Sequence, residues 1–222
     1  MRTFFTALLS ALMMVVLPAT ALAGPFVPVP TAKKMKIRFV KYTGGTSGRM
    51  IVEVRNDAKK AQKFSAKGIY FVPGGDPDKA PQRLGAAGPF EANNGQQWKL
   101  KQSVKIKPGA TVKLKLQVFC LDSHRSSPGS SQKFSVARKR LPKELSGTIS
   151  KGTKGILRKY KAPRAATSEI QSHVWKSRNK KWIKLQGERK NEKSAEPAPQ
   201  VNEAPQQRIQ QRRYKTPRRR IR

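Results

Sequence analysis

The sequence has few of the residues that support catalysis or covalent cross-linking. It contains one cysteine, Cys120, and two histidines among 222 residues. A single cysteine excludes an intramolecular disulfide, so the fold must be stabilised by its core. The phosphate-loop, zinc-protease and serine-hydrolase motifs are missing, and the 12 acidic residues form no paired constellation for acid–base chemistry. We therefore expect no catalytic residues, no cofactor and no metal site.

Acidic residues are also few relative to basic ones. The chain has 48 Lys and Arg against 12 Asp and Glu, a net charge of +36. Charge of this size does not specify a fold, but it predicts attraction to polyanions and steep salt dependence. The simpler interpretation is that the charge only keeps the protein soluble. A small domain needs a net charge of only about 2–8 for solubility, which favours an anionic partner.

The first 23 residues have the pattern of a secretory signal peptide. Arg2 supplies the positive start, Phe4 to Leu17 are apolar, and Ala21-Leu22-Ala23 fits the cleavage site. The alternative is an uncleaved anchor helix, but this apolar run is short for about 30 Å of hydrocarbon. We expect a mature protein that starts at Gly24, has no transmembrane segment after cleavage, and is secreted or periplasmic.

Alternation of apolar residues and lysines is the dominant pattern in residues 96–121. Apolar side chains recur every second residue on both sides of Pro108-Gly109, which predicts two half-buried strands joined as a hairpin. The opposite positions carry Lys99, Lys101, Lys105, Lys107, Lys113 and Lys115. Because like charges on neighbouring strands repel each other, we expect these six lysines to form one face that meets an anionic partner.

Other short strands are predicted near residues 35–39, 50–54, 62–72 and 133–137, with residues 73–94 as a long Gly- and Pro-rich loop. Short strands separated by turn residues indicate an antiparallel β-sandwich of immunoglobulin-like type. The run VKIKPGATVKLKLQV resembles the penultimate hairpin of Ig-like modules in bacterial secreted proteins. The resemblance implies a module that binds or acts as a spacer.

Composition divides the chain into five parts. These are the signal peptide 1–23, a Pro-rich lead-in 24–34, the β-sandwich domain 35–140, a helical or irregular extension 141–186 packed on the sandwich, and a disordered basic tail 187–222. The tail is predicted to be disordered because it has almost no apolar side chains to bury. The fold class we expect is mainly β, an antiparallel Ig-like sandwich with short C-terminal helices and this tail.

The end of the tail is a cationic run without an acidic residue. Its candidate binding residues are Arg208, Arg212, Arg213, Tyr214, Lys215, Arg218, Arg219, Arg220 and Arg222. The planar fork of arginine suits phosphate groups, and a tyrosine offers a stacking surface. A solvated tail is the alternative, and the tyrosine inside the run favours binding.

Cys120, Asp122 and His124 share one face if the strand continues past the cysteine. This spacing suits a Cys–His nucleophile pair or part of a metal site. The alternative is a core cysteine at the end of a strand, followed by a turn that holds Asp122 and His124. Cysteine is among the most buried residues, and Cys120 continues the inward apolar series. The second interpretation is therefore favoured.

Two short segments resemble motifs of thioester-containing bacterial surface adhesins. They are Phe119-Cys120-Leu121-Asp122 and the segment Ile170–Trp175, IQSHVW. The resemblance implies that Cys120 is the reactive cysteine, that Gln171 belongs to the family's Gln–Trp segment, and that Gln186 is the bonded glutamine.

The sequence as a whole predicts a cationic protein that holds anionic polymers by charge. Nucleic acid, lipopolysaccharide and acidic polysaccharide all fit, since the sequence offers phosphate contacts but no obvious element for reading bases. Association with an outer surface or a membrane surface would follow from the same charge. The alternative function is a structural or adhesin-like surface protein that uses Cys120 for covalent or redox attachment.

Overall fold

The structure is a computed structural model that describes residues 23–45, 48–93, 98–159, 167–189 and 192. Its strands are β1 (Val27–Pro28), β2 (Met35–Tyr42), β3 (Arg49–Asn56), β4 (Gln62–Phe64), β5 (Ile69–Pro73), β6 (Leu84–Asn93), β7 (Trp98–Lys101), β8 (Val104–Ile106), β9 (Thr111–Cys120) and β10 (Phe134–Val136). The helices are α1 (Lys143–Lys159) and α2 (Thr167–Lys181). All but the last residue of the expected signal peptide, and the cationic run 208–222, lie outside the described residues, so both stay predictions.

The main sheet is antiparallel and nearly closes on itself. Its strand order is β1-β2-β3-β9-β6-β5-β10, with β7 added beside β6. The ring of Phe134 on β10 lies 5.9 Å from that of Phe39 and 5.5 Å from that of Tyr42, both on β2, so the two ends of the sheet meet. β4 and β8 form a separate two-stranded sheet. The prediction of a mainly β, antiparallel protein with C-terminal helices is confirmed.

Strand β9 runs through the centre of the molecule. Leu114, Leu116, Val118 and Cys120 are fully buried inside the sheet, as their alternation predicts. On the outer face of the same strand, Phe119 is covered by the helices in a second apolar cluster. Because both faces of β9 are covered near its C-terminal end, consecutive residues are buried there and lysines no longer alternate with apolar residues.

Strand β6 corrects the second half of the loop predicted over residues 73–94, while residues 74–83 lie between strands. β6 lies between β9 and β5 in the main sheet, although its sequence is rich in Gly, Ala and Pro. A Cβ at Gly85 would lie 3.1 Å from a methyl of Leu121 and 3.3 Å from one of Ile149. A small residue is needed here because α1 packs directly on this strand. Gly88, with φ +70°, occupies the irregularity in the β6–β9 register.

The predicted lysine-rich hairpin is wrong. β9 pairs with β3 and β6, β7 pairs with β6, and β8 pairs with β4 in the small sheet. The turn at Pro108-Gly109 therefore joins strands of two different sheets. Alternation identifies the buried face of a strand but does not identify its neighbour. Five of the six lysines consequently lie on three strands, Lys107 follows the end of β8, and the predicted single face does not form.

The helices cover the outer face of β5, β6 and β9. Their contact is a second apolar cluster, made of Tyr70, Phe119, Leu121, Ala137, Leu141, Leu145, Ile149, Ile170, Val174 and Leu185. Beyond it, Gly187, Arg189 and Glu192 contact the loops next to the sheet, and Glu188 contacts Arg178 of α2. Of the helices that the structure describes, neither is long and apolar enough to cross a membrane.

Candidate functional site

Two exposed lysines face each other on the small sheet. Lys63 of β4 and Lys105 of β8 are direct partners in the antiparallel register, and both are exposed. On the next pair positions, Phe64 and Ile106 are buried in the main core. Directly opposed residues place their Cβ atoms about 4.5–5.5 Å apart, where like charges destabilise the pairing. The two lysines therefore place two positive charges close together, and the burial of Phe64 and Ile106 holds the strands that carry them in place.

A polar cleft opens at one end of the small sheet, where β4 ends and β8 begins. Its lining is Ser65, Lys67, Gly88, Gln102, Ser150, Thr153 and Lys154. Its volume is about 230 Å³. Lys101, which is exposed, directly precedes Gln102 of the lining. We call these seven residues the lysine cleft.

The lysine cleft is suited to a negatively charged group. Two exposed lysines, Lys67 and Lys154, belong to its lining, and none of its seven residues is acidic. The hydroxyl oxygen of Ser150 is buried and has no hydrogen-bond partner among the described residues, whereas buried hydroxyls are normally paired. Sites for whole small ligands typically measure about 300–1,000 Å³. The smaller cleft fits one group of a longer molecule.

The lysines of β9 lie in a different electrostatic environment. Lys113 is opposite Glu53, and Lys115 is opposite Glu91 with its Nζ 3.8 Å from the carboxylate. Glu53 also binds Arg38 at 2.6 Å. Acidic residues are thus interleaved with basic ones on this face. Of the other predicted lysines, Lys107 is exposed next to the turn, and the side chain of Lys99 lies outside the described residues.

A buried charge cluster lies where β6 and β9 meet the helices. Its members are Arg83, Asp122, His124, Arg125, Arg178, Glu188 and Glu192. Arg83 binds Asp122 through Nε at 2.8 Å and Nη2 at 2.5 Å, and both side chains are fully buried. Arg178 donates a further hydrogen bond to Asp122 and stacks on Trp182 at 4.5 Å.

Burial and hydrogen bonding shift the pKa values of two residues of this cluster, Arg178 and Glu192. Burial lowers the pKa of Arg178 to about 10, and the charge of Arg83 acts in the same direction. Burial works against ionisation of Glu192 as well, but hydrogen bonds from Arg125 and His124 outweigh it and lower the pKa of Glu192 to about 2. Both groups are therefore charged at neutral pH, and the cluster pairs guanidinium groups with carboxylates.

The cluster does not fit a metal ion. Asp122, His124 and Glu192 place potential ligand atoms within 4.8 Å of one another. The oxygens of both carboxylates, however, already accept hydrogen bonds from Arg83, Arg125 or Arg178. A divalent cation at this position would face three guanidinium groups, and Coulomb repulsion opposes it.

Cys120 and Gln171, which the thioester resemblance singles out, lie next to each other. The side chain of Cys120 points into the main core, and its burial raises the pKa of the thiol to about 12. The amide of Gln171 contacts the backbone of Cys120: its oxygen accepts from Cys120 N at 2.8 Å, and its nitrogen donates to Cys120 O at 2.7 Å. This contact holds α2 against the end of β9. Gln186 accepts from Arg138 N at 2.9 Å.

Several residues of these sites were missed by sequence reasoning. Lys63 lies within the predicted strand 62–72, so its alternation with Phe64 was a usable signal. Lys67 and Lys154 are separated by many residues and meet only through the fold. Arg83 lies in the segment predicted as a loop, and Arg178 on a short helix. No local pattern marks either of them as buried.

Comparison with family models, with curated proteins and with solved structures finds no match for this chain. Function is therefore inferred from the residues themselves.

Proposed function

We propose that this is a secreted or periplasmic cationic protein that binds anionic polymers by charge, with the lysines of the small sheet and the lysine cleft as a principal contact. The observation that carries the proposal is the opposition of Lys63 and Lys105. Such a pair costs stability in the free protein, and an anionic ligand that lies over it relieves the repulsion. The signal-peptide pattern of the first 23 residues supports the location.

The distribution of acidic residues strengthens the proposal. Asp122, Glu188 and Glu192 are used inside the buried charge cluster, where they neutralise arginines that have little contact with solvent. Lys63 and Lys105 of the small sheet are exposed, and none of the ion pairs among the described residues involves them. Their positive charge is therefore available to a ligand.

A polymer fits this surface better than a small molecule does. The lysine cleft holds one charged group, while further lysines on β4, β7 and β8 continue the positive surface outside it. Nucleic acid, lipopolysaccharide and acidic polysaccharide all present repeated anionic groups. The cationic run 208–222 would add contacts along such a chain. The resemblance to Ig-like modules agrees with this role, because such modules bind more often than they catalyse.

The proposal is tested by titrating the mature full-length protein with labelled heparin and with random-sequence duplex DNA. Fluorescence anisotropy gives Kd at salt concentrations from about 50 to 200 mM. We expect both ligands to bind, with log Kobs falling linearly with log[salt] at a slope of about −0.9 per phosphate contacted on DNA. Absence of binding at the lowest salt, or a slope near zero, would contradict the proposal.

A further inference from the structure

The carboxylate of Glu192 is surrounded by hydrogen-bond donors. Arg125 reaches it with Nε and Nη2, each at 2.7 Å, and His124 Nε2 lies 2.6 Å from Oε1. Arg83 Nη2 is 3.3 Å from both oxygens, and the backbone N of Arg189 donates to Oε2 at 3.1 Å. This is the environment of a bound anion, with Arg125 as the bidentate fork.

Contacts with Asp122 position the side chain of Arg83 and the backbone of Arg125. Arg83 is held by Asp122, which also accepts from the backbone N of Arg83 at 2.8 Å. The backbone N of Arg125 donates to the carbonyl of Asp122 at 3.1 Å. These contacts belong to the ends of β6 and β9. The guanidinium of Arg83 is therefore held independently of Glu192, and Glu192 reaches this donor from a later segment of the chain together with Gly187, whose carbonyl accepts from Arg125 Nη2 at 3.3 Å.

Glu192 balances the charge of one of the three arginines in the cluster. Asp122 and Glu188 offset two of the three arginines in the cluster, and Glu192 offsets the third. Without Glu192 the site carries a net positive charge with little exposure, an arrangement that is costly unless an anion is present. His124 is 11% exposed, so the site has an opening to solvent on that side.

The site also has one donor more than a carboxylate satisfies. Nη1 of Arg125 is buried and has no hydrogen-bond partner among the described residues. The two oxygens of Glu192 already accept from Arg83, His124, Arg125 and Arg189. A tetrahedral anion has more oxygens than a carboxylate and can accept from more directions.

We propose that Arg83, His124 and Arg125 form a binding site for one phosphate or sulfate group, and that Glu192 fills this site as an internal ligand until such a group displaces it. The inference rests on the proposed function, because anionic polymers supply the displacing group. In the structure, Arg189 binds the loop before β6 by donating to the carbonyls of Pro77 and Ala80 at 3.2 and 3.4 Å. Displacement of Glu192 would weaken this attachment and expose the peptide bond after Arg189.

Inorganic sulfate is the probe, because it carries the chemistry without the polymer. Sulfate is titrated into the full-length wild-type chain and into Glu192→Ala by isothermal calorimetry at constant ionic strength. We expect Glu192→Ala to bind one sulfate at least about tenfold more tightly than the wild type, since the internal competitor is gone. Glu169→Ala is the matched control: it removes an exposed acid of α2 and should leave sulfate affinity at the wild-type value.

A second measurement on the wild type covers the case in which Glu192→Ala folds poorly. Trypsin cleavage after Arg189 should accelerate several-fold when sulfate replaces chloride at equal ionic strength, because the displaced segment is accessible. Equal sulfate affinity in all variants, meaning an adventitious ion only, would overturn the inference, as would an unchanged cleavage rate. Salt-dependent heparin binding without either effect leaves the proposed function intact, whereas a sulfate effect without heparin binding refutes the proposed function alone.

Discussion

The side-chain amide of Gln171 pairs with the backbone of Cys120 through two hydrogen bonds, at 2.8 Å and 2.7 Å. The glutamine, which lies on helix α2, thereby forms the hydrogen bonds that a neighbouring strand would otherwise make with the end of β9. Both residues are buried, so water cannot replace the contact. This pair fixes the helix to the sheet immediately before Asp122, the central carboxylate of the buried charge cluster.

Gln171→Met keeps the volume of the side chain and removes both hydrogen bonds. Two buried backbone groups of Cys120 would be left unpaired, at a cost of about 1–3 kcal/mol each. We expect a loss of at least about 2 kcal/mol in urea unfolding. Ser172→Ala, at the exposed neighbouring position, should change stability by less than about 0.5 kcal/mol. Equal stability of Gln171→Met and wild type would show that the pair is not a structural contact.

The thiol of Cys120 should be unreactive in the native protein. It lies in the core and its pKa is raised to about 12, so almost no thiolate exists at neutral pH. Ellman's reagent should react slowly with the folded chain and promptly in denaturant. The intact mass should equal that of the mature chain, without the loss of ammonia, about 17 Da, that a thioester formed with a glutamine side chain implies. Fast native reaction or that mass loss would favour covalent attachment through Cys120.

The stability of the protein should depend on pH through Glu192. Its folded pKa of about 2 is below the ordinary value of 4.5 because Arg125, His124 and Arg83 stabilise the charged form against the effect of burial. The stabilisation is fully present above about pH 5 and is lost as the pH falls toward 2. Glu192→Gln should be less stable at neutral pH and should lose less stability on acidification. Urea unfolding at several pH values tests this, and parallel pH profiles for the two proteins would contradict it.

Part of the fold follows directly from the sequence. β9 alternates strictly, so the burial of Leu114, Leu116 and Val118 could be predicted without knowing any partner strand. β6 could not be predicted, because its composition is typical of loops. A side chain at position 85 is disfavoured by the close approach of Ile149 on α1, a residue 64 positions later in the chain. A contact so distant in sequence leaves no local pattern.

The candidate sites were predictable only in part. The charge excess and the lysine alternation are the basis for proposing an anionic partner, and Lys101 and Lys105 were among the predicted residues. Their placement was not predictable, because a period of two does not say which strands become neighbours. The buried charge cluster was missed for a related reason. In the sequence, nothing distinguishes Arg83, Arg178 and Glu192 from ordinary surface residues. They belong to three separate segments that only the fold brings together.

Three of the six lysines predicted as one face, Lys105, Lys113 and Lys115, now allow a direct comparison of two lysine pairs, with Lys63 as the partner of Lys105. Lys63 and Lys105 oppose each other beside the lysine cleft, while Lys113 and Lys115 lie opposite Glu53 and Glu91. Replacing either pair with glutamine removes two positive charges. Total charge therefore changes equally, and any difference in binding reports on location. Lys63→Gln/Lys105→Gln should also gain a few tenths of a kcal/mol in stability, as the repulsion is removed.

The decisive measurement is the salt dependence of heparin and duplex-DNA binding by these two double variants and the wild type. We expect Lys63→Gln/Lys105→Gln to weaken binding several-fold and to flatten the DNA slope by up to about two units, since each lost contact contributes about 0.9. Lys113→Gln/Lys115→Gln should remain close to wild type with both ligands. Equal losses in the two variants, or undiminished binding by Lys63→Gln/Lys105→Gln, would contradict the claim that the lysines of the small sheet are a principal contact.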